Sequence, residues 1–366
     1  MAIEAPDSIA TTRSGIIENR HQVHAAITDS TGRLLFAVGD PHRLTLIRSA
    51  AKPAQALAIL ESGCFERFPR LGEPDLALMC ASHSSEERHI VRAKEMLGII
   101  GAAEKDLACG GHAAISETVN REWIRTGFVS SPVCSNCSGK HAGMLGGSKA
   151  IGAELEGYHL PEHPMQLRVK AIVEDLTGLK GGGESDMLKW GVDGCNLPAP
   201  ALPLQYLGKM YAVVAGAADA IEKSERSSVP VPLPPRSKAL SRIFHAMSQY
   251  PELVGGEDRF CTEFMREYQG VVIGKLGADG CYGVGIRASE QTRMLGAVGA
   301  IGVAVKIEDG NLGVLYSAVA EILERLGIGR PEMRGKLAAF HHPEILNTAG
   351  VVTGGYSHRF RLQRFG

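Results

Sequence analysis

The sequence predicts an α+β fold, in which an antiparallel sheet is built from both chain ends and flanked by helices. Segments with strand-like alternation or short apolar runs lie near both ends of the chain. Helical apolar periodicity occupies the middle. We therefore expect a single domain over residues 1–366, with a sheet-containing lobe from both termini and a helical lobe from the middle of the chain.

The N-terminal part predicts a β-hairpin and then a helix. Apolar and polar residues alternate through HQVHAAITDSTGRLLFAVGD, with residues 30–33 as the turn. A helix follows in RSAAKPAQALAIL and ends near Gly63. Proline is tolerated in the first turn of a helix, where its missing N–H removes no internal bond. Pro53 therefore places the helix start near Ser49.

The middle of the chain predicts a buried strand and several helices. The short apolar run DLALMCASH, residues 75–83, is typical of a buried strand. SSEERHIVRAKEMLGII then predicts an amphipathic helix with Ser84 or Ser85 as its cap. Two further helical patterns are PMQLRVKAIVEDLTG and LQYLGKMYAVVAGAADAIEKS. The glycines at 181–183 and the proline-rich residues 229–235 predict surface loops.

The C-terminal part predicts further strands and a late helix. GVVIGKLGADGCYGVGI has strand patterns on both sides of a turn at Asp279 and Gly280. AIGVAVKIEDG adds another strand, and GVLYSAVAEILERL predicts a helix. His341 and His342 precede Pro343 in a predicted loop, where we expect them at the surface.

Composition restricts the classes of function. Hydrophobic residues make up 44% of the chain, charged residues 22%, and the net charge is −1. This balance is typical of soluble globular proteins and gives no reason to expect a nucleic-acid or membrane partner. The start of the chain lacks the apolar region of a signal peptide, and no apolar run reaches the ~18 residues of a membrane span. We expect a cytoplasmic protein whose eight cysteines are thiols.

Ser49 and Lys52 are the first candidate catalytic pair. Three residues apart at a helix start, they lie on one helical face. A serine hydroxyl becomes a good nucleophile when a neighbouring base takes its proton, and a neutral amine can be that base. The free N–H groups of a helix start favour the developing negative charge. The alternative is a capping serine followed by a solvated lysine, and these four residues alone favour that alternative.

Two further candidates are a lysine on a predicted strand and a serine-rich loop. Lys275 could point into a cleft, or it could be an edge-strand lysine that prevents aggregation. Ser82, His83 and Ser84 follow the predicted buried strand, where loops commonly carry chemistry. Their alternative role is to cap the next helix.

The cysteines form a candidate metal or redox site. Cys134 and Cys137 form a C-x-x-C pair, which suggests a zinc knuckle or a redox dithiol. No second pair completes a tetrahedral structural site. Lys140 follows Cys137 within one turn, and Cys195 with Asp193 could supply another thiolate and a supporting carboxylate. The alternative is a set of small buried thiols.

The order of these motifs resembles known enzyme families. Ser-x-x-Lys, a serine-rich loop and a late Lys-x-Gly follow the order of serine β-lactamases, penicillin-binding proteins and glutaminases. A closer resemblance, over residues 48 to about 312, is to the thermolabile L-asparaginase II family, the zinc-containing bacterial asparaginases. Its blocks are RSAAKPAQALAIL, LMCASHSSEERH, CGGH, VCSNCSGKHAGM, DGCNLP, GKLGAD and VKIEDGNL.

This resemblance implies a serine-β-lactamase-like (glutaminase-like) fold, a homodimer, and hydrolysis of L-asparagine to L-aspartate and ammonia. Carried over by motif, Ser49 and Lys52 form one serine–lysine tandem. Ser82 and Lys275 form the other. The family's metal ion, zinc, is implied between the three side chains Cys137, Lys140 and Cys195, with Asp193 close by.

The combined hypothesis is that Ser49 attacks the side-chain amide while Lys52 accepts its proton. Lys275 and Ser82 complete the proton relay to the leaving ammonia. The reverse assignment, with Ser82 attacking and Ser49 in the relay, stays open. Arg48 could clamp the substrate α-carboxylate with a bidentate contact, or it could be a surface arginine.

The expected role of zinc is to shape the pocket, with Lys140 and Asp193 near the substrate's amino and carboxylate groups. A zinc-bound water as the nucleophile is the alternative. Rival functions are a β-lactamase or D,D-peptidase, which act outside the cytoplasm, and a glutaminase, whose substrate has one more methylene. A non-catalytic zinc or thiol-redox protein would leave the serines and lysines unexplained.

Overall fold

The structure is a computed structural model that describes residues 7–180, 187–229 and 232–365. These residues fall into two compact units. The first, which we call the sheet unit, comprises the chain up to Ala50, Leu202–Gly216 and the chain from Glu267 onward. The second, the helical unit, comprises Ala51–Ala201 and Ala217–Arg266. The prediction of a single domain over residues 1–366 stays a prediction.

The regular elements are numbered in chain order. The strands are β1 (Ser8–Arg13), β2 (Ile16–Asp29), β3 (Leu34–Val38), β4 (Leu44–Leu46), β5 (Lys189–Val192), β6 (Pro198–Pro203), β7 (Val272–Gly277), β8 (Cys281–Ile286), β9 (Ile301–Ile307), β10 (Ile345–Leu346), β11 (Val352–Arg359) and β12 (Gln363–Arg364). The helices are α1 (Lys52–Glu61), α2 (Cys64–Arg67), α3 (Glu73–Met79), α4 (Glu87–Ile100), α5 (Glu117–Thr126), α6 (Ser138–Ala150), α7 (Pro164–Thr177), α8 (Leu204–Glu225), α9 (Pro235–Gln249), α10 (Pro251–Val254), α11 (Phe260–Tyr268), α12 (Glu290–Met294), α13 (Leu312–Arg325), α14 (Pro331–Gly335) and α15 (Ala338–His341).

The sheet unit is organised around an antiparallel sheet from both chain ends. Its strand order is β10-β11-β1-β2-β9-β8-β7, with β3 pairing to β2 and β12 pairing to β3. The predicted hairpin is β2 and β3, in which Ala26 lies opposite Ala37. Asp279 and Gly280 both have positive φ between β7 and β8, as a tight hairpin turn of this hand requires. The predicted α+β class and the predicted strands of this sheet are confirmed.

One helix of the sheet unit packs against the sheet backbone to backbone. A Cβ added at Gly302 on β9 would overlap the carbonyl oxygen of Gly208 on α8 and lie 2.8 Å from the amide nitrogen of Ala212. Gly283 on β8 has no side chain for the same reason, since the ring of Tyr211 on α8 occupies that space. The glycines thus allow α8 to lie directly on the strands.

In the helical unit, the predicted helix near Ser49 is confirmed. A 3-10 turn at Arg48–Ala51 leads into α1, and Pro53 lies in its first turn. After α1 the chain turns at Gly63, whose φ is +81°. The predicted helices over residues 164–178 and 204–224 are α7 and α8, and the late helix in the sheet unit is α13.

Two local predictions for the segment around Ser82 are wrong. Residues 75–83 do not form a strand; α3 covers their first part, with every residue from Asp75 to Met79 buried. A run that is apolar on all sides fits a buried helix as well as a buried strand. Neither Ser84 nor Ser85 caps α4, because their hydroxyls bond to the carbonyls of Gly255 and Cys134 instead.

The other loop predictions have different outcomes. Residues 181–183 lie outside the described residues, as do 230 and 231 of the proline-rich run; residues 232–234 have no regular structure. His342 is exposed as predicted, but His341 is 4% exposed because α15 packs it against α13.

Among the described helices, none combines the length and hydropathy needed to span a bilayer.

We expect Gly302→Ala to lower the free energy of unfolding by more than the about 1–3 kcal/mol typical of overpacking, since the obstructing atoms are backbone. Chemical denaturation of both proteins measures this. Gly299→Ala is the matched control, because a Cβ there meets no atom within 4 Å. Equal stability of the two variants would contradict the backbone contact.

Candidate active site

The site in the helical unit is centred on Lys52, the first residue of α1. This lysine has no exposed surface. Its Nζ donates to Ser82 Oγ at 3.0 Å, to Cys137 Sγ at 3.1 Å and to the carbonyl oxygen of Ala81. Three acceptors thus surround this amine, and they offset the cost of burying a polar group.

The loop that carries Ser82 is held by its backbone and by the neighbouring hydroxyls. The amide of Ser82 donates to the carbonyl of Val254 at 3.0 Å, and the amide of His83 donates to that of Asn136 at 3.2 Å. Ser84 and Ser85 extend this bonding through their hydroxyls. Ser82 itself is 5% exposed. The loop therefore fixes the Ser82 hydroxyl beside Lys52.

Two stacked histidines support this loop. The rings of His83 and His89 lie 4.9 Å apart, and His83 Nε2 is 2.9 Å from Ser138 Oγ. His89 Nδ1 accepts the amide of Glu86, while its Nε2 donates to the carbonyl of Glu252. Burial lowers the pKa of His89 to about 4 and that of His83 well below its ordinary value. Both rings are neutral at pH 7.

A second buried lysine lies on α6. Lys140 Nζ is 2.9 Å from Cys195 Sγ and 3.6 Å from Asp193 Oδ2. Burial disfavours its charge, but Cys195, Cys137 and Asp193 together raise the pKa of Lys140. Burial likewise opposes ionisation of Asp193, yet Lys140 and several hydrogen bonds hold its pKa below the usual range. The two side chains form a buried ion pair.

Asp193 also shapes the turn that presents Cys195. Its Oδ1 accepts the backbone amides of Cys195 at 2.9 Å and Leu197 at 3.2 Å, as well as the Cys195 thiol at 2.9 Å. The DGCNLP motif thus forms a turn in which the aspartate provides the acceptor.

The two thiols of the site interact across the fold. The neighbouring Cys195 side chain lowers the pKa of Cys137 well below that of a free thiol, and Cys137 together with burial raises the pKa of Cys195. Cys134, the other cysteine of the C-x-x-C pair, instead lies 3.9 Å from Ser131 Oγ. All eight cysteines of the chain are free thiols. The sequence-adjacent pair is therefore not the pair that the fold brings together.

The donor set around Cys195 fits a zinc ion chemically. The two buried thiols of Cys137 and Cys195 influence each other's pKa, and the nitrogen of Lys140 lies 2.9 Å from the Cys195 sulfur. Thiolates are preferred zinc ligands, and a metal ion displaces protons from its ligands on binding. The set depends on an amine as its third donor.

A second candidate metal site consists of histidines and needs no amine as a ligand. Across residues 7–180, 187–229 and 232–365, three ligand atoms within 4.8 Å of one another come from His341, His342 and His358. This cluster in the sheet unit could hold a metal ion. The sequence gives a signal only for the adjacent pair, since His358 follows on another element.

The remaining candidate residues lie in the sheet unit. Arg48, with a φ of +50°, forms an ion pair with Asp279 at 2.8 Å. Ser49 is half-buried in the 3-10 turn. Ala50, which follows Ser49, is held in place because its carbonyl accepts a hydrogen bond from the Tyr211 hydroxyl at 2.8 Å.

Lys275 is fully buried although β7 is the last strand of the sheet order. Its Nζ donates to the carbonyl of Leu276 at 2.8 Å. A lysine that prevents edge aggregation must reach solvent, so the burial of Lys275 contradicts that alternative.

Comparison with protein families identifies a match over most of the chain. A family model described as L-asparaginase II matches residues 9–358, a segment that contains every candidate site residue from Arg48 to Lys275. No curated protein matches the chain significantly. The similarity to this family therefore extends over almost the whole chain.

We expect Asp193→Ala to lower the free energy of unfolding by about 3–5 kcal/mol, because it leaves Lys140 without its buried carboxylate. Two backbone amides would also lose their acceptor. Asp193→Asn, which keeps an oxygen for those amides, should cost less. Denaturant titration of the three proteins tests the order, and an Ala variant as stable as wild type would contradict it.

The neutral state of His89 predicts a pH dependence of stability. Its folded pKa of about 4 is below the unfolded value near 6.5, so the unfolded chain binds more protons between these values. Stability contributed by this residue is therefore present above about pH 6.5 and lost as pH falls toward 4. We expect His89→Leu to reduce the slope of unfolding free energy by up to about 1.4 kcal/mol per pH unit.

The control for this measurement is His42→Ala, whose side chain is on an exposed residue. It should keep the wild-type slope in the same denaturation series. If His89→Leu also keeps that slope, His89 is not the source of the pH dependence.

Proposed function

The chain belongs to the L-asparaginase II family, and from this premise we propose that it hydrolyses L-asparagine to L-aspartate and ammonia with a serine nucleophile. The observation that carries the proposal is the buried Lys52 amine, whose Nζ lies 3.0 Å from Ser82 Oγ. A buried amine in contact with a serine hydroxyl is the arrangement that general-base catalysis requires. The proposed machinery is Ser49, Lys52, Ser82 and Lys275.

The contacts of Lys52 indicate how it would move a proton. When neutral, its amine has two N–H donors and one lone pair. The carbonyl of Ala81 cannot donate, so it takes one of the N–H groups. The lone pair is then free to accept a hydroxyl proton, and the remaining N–H can point to Cys137. Lys52 therefore has the hydrogen-bonding capacity of a base.

The proposed sequence of steps begins when Ser49 attacks the side-chain amide carbon and Lys52 accepts the Ser49 proton. That proton passes to Ser82 across the 3.0 Å hydrogen bond. Ser82 and Lys275 deliver it to the leaving nitrogen, which departs as ammonia. Water then hydrolyses the acyl-enzyme ester and releases L-aspartate. The same hydrogen bond also suits the reverse assignment, with Ser82 attacking and Ser49 in the relay.

Substrate recognition is proposed to use Arg48, Lys140 and Asp193. Arg48 donates one guanidinium N–H to Asp279, and its remaining N–H groups are proposed to bind the α-carboxylate of the substrate. Lys140 and Asp193 are proposed to lie near the substrate's amino and carboxylate groups. In the structure their charged atoms lie 3.6 Å apart.

Zinc is proposed as the metal, with Cys137, Lys140 and Cys195 as the residues that would hold it. When bound, the ion would supply a fixed positive charge that shapes the pocket. The mutual influence of the two thiols on their pKa values and the amine 2.9 Å from the Cys195 sulfur support this set. The burial of all three residues would exclude water from the ligands.

The finer features of the family resemblance are part of the same proposal. They are a serine-β-lactamase-like fold, a homodimer and a cytoplasmic location. The eight free thiols support the last of these, since exported proteins usually oxidise their cysteines.

The test is ammonia release from L-asparagine and L-glutamine by wild type, Ser49→Ala and Ser82→Ala. We expect the variant of the attacking serine to lose about 10⁴-fold or more in kcat, and the relay variant about 10²-fold. Ser248→Ala on α9 is the matched control and should keep wild-type rates. Release from neither amide by wild type would overturn the proposal.

Metal removal separates the roles proposed for zinc. Each protein is assayed before and after dialysis against a chelator, with bound zinc measured in the same samples. We expect wild type to retain part of its activity with a raised KM, because the serines perform the chemistry. Activity in Ser49→Ala that depends strictly on zinc would assign the attack to a metal-bound water instead.

A further inference from the structure

Three histidines converge in the sheet unit, and none of them belongs to the proposed active site. His341 ends α15 and is buried, His342 follows it and is exposed, and His358 lies half-buried near the end of β11. The rings of His341 and His342 are stacked with centroids 3.7 Å apart, and His358 lies 5.2 and 5.6 Å from them. One ring nitrogen of each comes within 4.8 Å of the others.

The hydroxyl of Ser317 on α13 determines which nitrogen of His358 carries a proton. Ser317 Oγ donates its only hydrogen to the carbonyl of His341 at 2.6 Å. It can therefore only accept from His358 Nε2, which is 2.7 Å away. His358 thus has an N–H at Nε2. In the neutral ring the lone pair is then at Nδ1.

A carboxylate on α13 does the same for His341. Glu321 Oε2 lies 2.6 Å from His341 Nε2, and an ionised carboxylate only accepts, so Nε2 carries the proton. The other ring nitrogen of His341, Nδ1, lies 3.5 Å from Glu324 Oε2.

The Nδ1 atoms of two of the rings lie beside carboxylate oxygens. His358 Nδ1 lies 3.4 Å from Glu321 Oε2, and His341 Nδ1 has Glu324 beside it. These carboxylates favour a cation at the ring nitrogens, because opposite charges attract strongly at short range. We propose that His341, His342 and His358 bind a divalent transition-metal ion, with Glu321 and Glu324 as the carboxylates that orient the rings and balance its charge.

The donor types decide the class of ion. Imidazole nitrogens favour zinc, copper and nickel over magnesium and calcium, which require oxygen donors. A histidine ligand whose second nitrogen bonds a carboxylate is a common arrangement around zinc, and Glu321 gives His341 that arrangement. The exposed His342 provides a route for the ion from solvent.

The bound ion would connect separate elements. His341 and His342 come from the end of α15, His358 comes from β11, and Glu321 belongs to α13. An ion that binds the folded chain and not the unfolded one stabilises the fold. The expected role is therefore to fix the C-terminal elements against α13.

The test is the number of zinc ions bound by the full chain without a histidine tag, after dialysis against excess Zn²⁺ and then buffer. We expect His342→Ala to bind one equivalent less than wild type, with a smaller zinc-induced rise in the temperature of unfolding. His342 is exposed, so this variant should fold. The matched control His42→Ala, also exposed, should bind as much zinc as wild type.

A second arm separates this site from the one proposed at the cysteines. Cys195→Ala should retain the histidine-bound equivalent, and its Co²⁺ complex should lack the thiolate charge-transfer absorption that a cysteine ligand produces. The proposal is overturned if His342→Ala and His358→Ala both bind as much zinc as wild type. It is also overturned if Cys195→Ala binds none. Neither result depends on asparagine hydrolysis.

Discussion

The burial of the Lys52 amine is the constraint on which the helical unit's site depends. A lysine with no exposed surface must find hydrogen-bond partners for its amine, since leaving a buried polar group without partners costs free energy. Its acceptors come from Ala81, Ser82 and Cys137, at sequence separations of 29, 30 and 85 residues. The start of α1, the loop after α3 and the start of α6 are thereby fixed together. The position of the Ser82 hydroxyl follows from the hydrogen bonds of this one amine.

A second buried lysine, Lys140, is connected to Lys52 through the two thiols of the site. Cys137 accepts from Lys52, and its pKa is lowered by Cys195, which in turn contacts Lys140. Lys140 and Asp193 form an ion pair within the same buried cluster. Such clusters are tolerated only when every member is bonded, and removing one leaves the others uncompensated. The cluster therefore acts as a unit.

Local patterns predicted much of the fold but less of the site. The hairpin, α1 and the late strands follow from alternation, proline position and turn residues that are visible over a few positions. The segment 75–83 was mispredicted because uniform burial removes the periodicity that separates a helix from a strand. Lys52 and Ser82 are 30 residues apart in the sequence, so no helix or strand periodicity predicts their contact. Ser49 and Lys52 are close in sequence, and helical spacing relates them directly. The sequence predicts His341 at the surface, but α13 buries it, and the residues adjacent to His341 give no indication of that contact.

The two proposed metal sets differ in a way that follows from burial. Cys137, Lys140 and Cys195 are each less than a tenth exposed, so an ion held there could leave only when the helical unit opens. The histidine set includes the exposed His342, so its ion can exchange with solvent while the fold stays closed. Thiolates also bind zinc more strongly than a partly exposed imidazole set that must compete with protons. A chelator should therefore remove the histidine-bound ion first, which makes this site responsive to metal availability and the buried one a lasting part of the fold.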